Sequence, residues 1–297
     1  MADAGAGRAV RIFRDYDQAA LDRELNLRAR WPEHAQFFER WARDSAAVRA
    51  RLPGRLDLAY GGTAAETLDL FPAGAGAPLL AFIHGGYWQG LDKSDYSYLA
   101  PAFVEAGFAF ASLNYGLAPG TRIGTMIDQV RRALAWLHRH AADHGIAPDR
   151  IVAAGHSAGG HLAAMALSTD WRSLDAGLPG DLLAGGCAIS GVYDLEPIRL
   201  SYHNEVLQIA PEEVVPWSPL HRLPARAAPL LLAVGAEETA EFLRQHAEYA
   251  AAWEACGLRL GEVEMTGLHH FSAVDALGDR RHGLYAAVQR LLARGSA

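Results

Sequence analysis

Lysine is almost missing from this chain. Lys93 is the single lysine among 27 basic residues, and arginine supplies the rest. Against 34 acidic residues this leaves a formal charge of −7. That balance argues against nucleic acid and anionic membrane as main partners. Beside abundant alanine, the arginine bias reads as base composition rather than as a phosphate-binding surface. Cysteine is scarce too. Cys187 and Cys256 stand far apart in apolar contexts. They give neither a disulfide framework nor a zinc site, and read as buried, inert thiols. No run approaches the roughly 18 apolar residues of a membrane helix. The opening MADAGAGRAVRIFRDYD lacks an apolar h-region, so no secretory signal is expected and the cytoplasm is the simplest location.

What is present suits a large core: 297 residues, 51% of them hydrophobic. Residues 17–52 carry apolar positions at helical spacing, with Pro32 between two segments and an arginine-rich face read as solvated. From residue 55 the texture changes. RLDLAYGG and ETLDLFPAG read as two strands around a Gly-Gly turn. PLLAFIHGG, AGFAFASLNY, RIVAAGHS, GGCAISG and PLLLAVGAEE are continuous apolar runs, the pattern of strands buried on both faces. LGEVEMTG is a plausible last strand. Helical patterns fill the gaps, including a stripe of Ile123, Met126, Ile127, Val130, Leu134, Leu137 and Ala141, and a final helix over 275–295. The expected architecture is α/β, a mostly parallel twisted sheet with helices on both faces. It forms one domain, with residues 1–54 as a helical extension packed on a core of 55–297. The segment 191–228 holds five prolines and breaks the alternation. It is expected to form a small cap above the strand ends, where ligands bind in such folds.

RIVAAGHSAGGH contains Gly155-His156-Ser157-Ala158-Gly159, a G-x-S-x-G pentapeptide between a buried strand and a small-residue helix. The pentapeptide alone is a weak signal. Its context is that of a nucleophile elbow, which exposes a serine oxygen at a helix N-terminus. The sequence AFIHGGYWQG supplies a second motif. Two glycines directly after a strand can turn backbone N–H groups toward a developing oxyanion. Gly85, Gly86 and Ala158 are therefore the expected oxyanion donors. His84 is read as orienting the loop. Tyr87 and Trp88 either wall the pocket or anchor the loop in the core.

A serine nucleophile needs a base, and the base needs an acid to orient it. In this elbow's fold the chain order is serine, acid, histidine. Glu238 follows the strand PLLLAVG at its carboxyl end, with Glu237 as the alternative. His270 follows the last strand, with His269 as the alternative. Adjacent histidines also raise metal binding, but neighbouring side chains diverge and no ligand set stands nearby. No metal or cofactor is required. His138 and His140 read as surface residues, and His161 as packed. His156, Tyr193, Tyr202, Asn204 and Trp217 are the further candidates for substrate contact, the last four from the cap.

With HGGYW, GHSAGG, VGAEETAEFLRQ and LHHFS in place, the chain resembles the kynurenine formamidase (arylformamidase) group of α/β-hydrolases from about residue 16 to 290. YDQAALDRELNLRARWPEH and SGVYDLEP look like segments of that group as well. The resemblance implies a Ser-Asp/Glu-His hydrolase cutting an aryl N-formyl amide, with N-formylkynurenine the family's substrate. By position it carries the nucleophile to Ser157, the acid to Glu238 and the base to His270. The family often has aspartate at the acid position, so Glu238 departs mildly and leaves Glu237 open. The rival enzyme reading is a carboxylesterase or amidase. The rival from another class is a non-catalytic binding protein of the same fold, which a serine-directed fluorophosphonate would distinguish. The expected partner is a small aryl amide or ester, with a homodimer left open.

Overall fold

Eight strands form one sheet in the order β1-β2-β4-β3-β5-β6-β7-β8 in a computed structural model that describes residues 10–293. The strands are β1 (Arg55–Ala59), β2 (Thr67–Phe71), β3 (Ala77–Ile83), β4 (Ala109–Leu113), β5 (Ile146–His156), β6 (Gly185–Ile189), β7 (Leu230–Gly235) and β8 (Leu260–Met265). β2 runs antiparallel to β1 and β4, and every later pairing is parallel. This is the α/β architecture expected from the alternating pattern. β3, β4, β6 and β7 are buried along their whole length, which is why their sequences are unbroken apolar runs. The edge strands differ: β1 is exposed along nearly its whole length, and β8 alternates, exposing Glu262 and Glu264.

Six longer helices accompany the sheet: α1 (Gln18–Leu25), α2 (His34–Arg51), α3 (Ile123–Arg139), α4 (Ala158–Leu167), α5 (Ala240–Ala255) and α6 (Gly283–Ala293). α1 begins at Asp17, whose carboxylate accepts the Ala20 N–H, a normal N-cap. α3 buries its predicted stripe and adds Gln129, whose side-chain oxygen accepts the Gly116 N–H at 2.8 Å. α4 is buried on all sides beneath the elbow. Leu21, Leu25, Leu27, Trp41 and Val48 of the N-terminal segment join the same hydrophobic core as the sheet.

Three expectations are corrected. The last helix starts only at Gly283. The Asp279 side chain takes the Arg281 N–H, and such local bonding favours a turn over a helix. Arg294 and Gly295 of that expected helix, like the first nine residues of the opening segment, lie outside the described residues. Cys256 is exposed, because it caps α5 at the surface just before Gly257, whereas Cys187 is buried in β6. His138 and His140 are half-buried: His138 bonds the Pro148 carbonyl and His140 stacks on Trp136. No helix among the described residues is long and apolar enough to cross a membrane.

The single lysine sits beneath the loop after β3. Lys93 Nζ donates to Asp57 at 2.7 Å and to Asp69 at 2.6 Å, with 6% of its side chain exposed. Its N–H and carbonyl bond Asn114 and Ser112 of the β4 end. A buried cation is tolerated only when paired in this way.

Candidate active site

β5 delivers Ser157 at a sharp turn. Its φ of 56° lies in the left-handed region, which a non-glycine residue occupies only under strain. The flanking glycines permit the turn. A Cβ on Gly155 would stand 2.1 Å from the Gly159 carbonyl oxygen, and one on Gly159 would stand 2.0 Å from that of Ile83. The Ser157 N–H is held by the Ile189 carbonyl of β6 at 2.9 Å. Ala158 then opens α4.

The loop after β3 is strained at adjacent positions: Gly86, Tyr87 and Trp88 all have positive φ. His84 fixes its base. The ring stacks on Tyr115 at 4.4 Å, and Nδ1–H donates to the Gly85 carbonyl at 2.8 Å. Burial pushes this imidazole toward its neutral form. Among the described residues no acceptor takes up the N–H of Gly86 or Ala158. Gly85 packs against Ser157, and its N–H lies near the Tyr96 oxygen. Gly86 and Ala158 thus keep N–H groups without an acceptor among the described residues.

Glu238 and His270 come from the carboxyl ends of β7 and β8. His270 Nδ1–H donates to Glu238 Oε2 at 2.8 Å, and neither side chain is more than 3% exposed. Glu237 is exposed. His269 turns away from its neighbour to stack on Trp31 at 5.1 Å, 3.8 Å from Glu33. Ser157, His156 and His270 line one cavity. His156 Nε2–H donates to the His270 carbonyl, and its burial beside His270 holds it strongly neutral. It supports the base rather than competing with it for a proton. A hydroxyl, an imidazole and a buried carboxylate in this order can generate an alkoxide nucleophile and return its proton to a leaving group.

The cavity has a volume of about 380 Å³, at the small end of the range for small-molecule sites. Of the residues predicted to touch substrate, Tyr87, His156 and Tyr202 line it. Tyr87 also stacks on His203 at 3.8 Å, and its hydroxyl donates to the Leu25 carbonyl. The others serve packing. Trp88 is fully buried, edge-on to His161. Tyr193 is fully buried against Tyr249. Asn204 closes its own turn by accepting the Ile209 N–H. Trp217 covers Gly124, and its carbonyl accepts the His161 Nε2–H. The cap holds the short helices Glu196–Leu200, Asn204–Leu207 and Pro211–Trp217, and its Tyr193 and Trp217 pack against the body of the fold, on Tyr249 and Gly124.

The roof comes instead from the N-terminal segment. Asn26, Leu27, Arg28, Phe38 and Trp41 line the cavity, with only Tyr202 and His203 from the cap. Four aromatics, Trp31, Phe37, Phe38 and Trp41, fall within eleven residues there. That density is too high for a solvated face and was the available signal. His203, Tyr96, Gln89, Leu91 and Phe271 complete the wall; Gln89 and Phe271 lie in the quoted AFIHGGYWQG and LHHFS stretches, and the other three lie outside any motif.

Two buried histidines make the fold acid-sensitive. Burial pushes His161 and His203 down to about 4. His161 Nδ1 is buried without a partner, so a proton there has no acceptor. The unfolded imidazoles titrate near 6.5. Between roughly pH 6.5 and 4 the unfolded chain therefore holds more protons, and stability falls as pH falls. Each group should contribute a loss of about 3 kcal/mol once pH reaches its folded value. Thermal melts from pH 7 to 5 should show this decline, with a shallower slope in His161→Gln. An identical slope in that variant would contradict the assignment.

Comparison with known proteins agrees with this geometry. A family model described as BD-FAE matches residues 70–184. A kynurenine formamidase of Danio rerio is 31% identical over 80% of this chain and 82% of its own length. Esterase LipQ of Mycobacterium tuberculosis is 38% identical over 47% of this chain and 35% of its own. A solved structure from Silicibacter sp. TM1040, described as a candidate thioesterase, superposes with a TM-score of 0.80 at 32% identity, covering 91% of this chain and 98% of that one.

Proposed function

The chain belongs to the kynurenine formamidase family of α/β-hydrolases, and from that premise we propose that it cleaves an aryl N-formyl amide through an acyl-enzyme intermediate. The observation that carries this reading is that His270, bonded to the buried Glu238, lines a small aromatic cavity together with Ser157. His270 takes the Ser157 proton as Oγ bonds to the formyl carbon. The free N–H groups of Gly86 and Ala158, with Gly85 behind them, offer donors for the oxyanion. Breakage of the C–N bond sends the His270 proton to the leaving aryl amine. Water, deprotonated by His270, then releases formate and restores Ser157. Glu238 holds the imidazole in the tautomer that presents Nε2 to the serine. Phe38, Trp41, Tyr87 and Phe271 supply flat faces for an aryl ring. No step calls for a metal or a cofactor.

The similarity to esterase LipQ over about half the chain favours a second reading, an esterase acting on aryl or short-chain esters. Esters are intrinsically easier to cleave, so the deciding quantity is a ratio of kcat/KM values. N-formylkynurenine is expected to exceed p-nitrophenyl acetate. An enzyme that turns over only the ester is an esterase, and the formamidase reading then fails.

A further inference from the structure

The cavity wall has one formally charged side chain, Arg28, and no aspartate or glutamate. Arg28 rides on the short helical turn Leu27–Arg30, capped where Asn26 Oδ1 accepts the Ala29 N–H. Its guanidinium stands over the Phe38 ring at 5.7 Å. Among the described residues no carboxylate pairs with it, whereas Arg14, Arg40, Arg122 and Arg244 all find one. The backbone beneath it is fixed. The Leu25 carbonyl accepts the Tyr87 hydroxyl at 3.0 Å and His203 Nε2–H at 3.4 Å. An unpaired guanidinium is thus held at the rim of an aromatic cavity with no competing negative charge in its walls.

We propose that Arg28 is the recognition group for a carboxylate on the substrate, which makes the enzyme selective for anionic aryl substrates. The aryl ring occupies the cavity, the scissile carbonyl meets Ser157, and the carboxylate lies at the rim. An arginine fork matches a carboxylate with two parallel hydrogen bonds, and the Phe38 face beside it limits the orientations of the exposed guanidinium. The inference rests on the hydrolytic reading of the Ser157 site, but not on the bond cleaved being a formamide.

The test compares wild type, Arg28→Gln and Arg28→Lys on two matched pairs. One pair is N-formylkynurenine and its carboxamide. The other is 2-acetoxybenzoate and 2-acetoxybenzamide. In Arg28→Gln the carboxylated member should lose about 10- to 100-fold more kcat/KM than its neutral partner, mainly through KM. Arg28→Lys should fall between the two. Equal losses for both members would show a merely structural role and overturn the proposal, as would no loss. A wild type that cleaves only esters removes the formamide reading, and the acetoxy pair still decides the role of Arg28. A wild type inactive on all four sinks both.

Discussion

Ser157→Ala is expected to lower kcat by about 10⁴-fold or more, whichever acyl group the enzyme carries. The substitution removes one oxygen from a side chain at the cavity wall and leaves the Ile189–Ser157 backbone bond in place. The fold should be retained, and circular dichroism would check it. His270→Ala should cost about as much, and the double variant little more than either single one. Such non-additivity is the mark of groups that act on the same proton. Fluorophosphonate labelling should vanish in Ser157→Ala. Near-normal turnover by Ser157→Ala would place the nucleophile elsewhere.

Glu238→Gln is expected to reduce kcat by about 10³- to 10⁴-fold, while Glu237→Gln leaves it unchanged. The two residues are neighbours with opposite environments. Glu238 is enclosed and accepts from His270 Nδ1, whereas Glu237 faces solvent. An amide at 238 keeps the shape but can turn its NH₂ toward the ring. The imidazole then carries its proton on Nε2, where it can no longer accept from serine. Comparing kcat of the two variants settles the acid directly, and a larger loss at 237 would reverse it.

Much of this was legible in the sequence, for physical reasons that differ by residue. The strands were readable because burial on both faces leaves no room for polar residues in β3 or β7. The elbow was readable because only glycine fits where the Gly159 position meets the Ile83 carbonyl. Such constraints act locally and write themselves into adjacent letters. The choice of Glu238 over Glu237 was harder. It depends on which way a turn faces, and adjacent glutamates carry no record of that. The cavity roof was harder still. Phe38 and Trp41 reach His270 and Phe271 across more than two hundred positions of chain. Tyr193 and Trp217 looked like ligand contacts because an aromatic in a proline-rich cap has the same spelling whether it packs inward or lines a site.

The burial of Lys93 has a practical side. The chain has one ε-amino group, and it is clasped between Asp57 and Asp69 under the oxyanion loop. Acylating and aldehyde reagents that attack amines find no accessible lysine on the folded molecule. Amine coupling to resins or dyes through lysine would therefore report unfolding rather than surface. For an enzyme proposed to handle activated formyl groups, the same arrangement leaves no side-chain amine to intercept them.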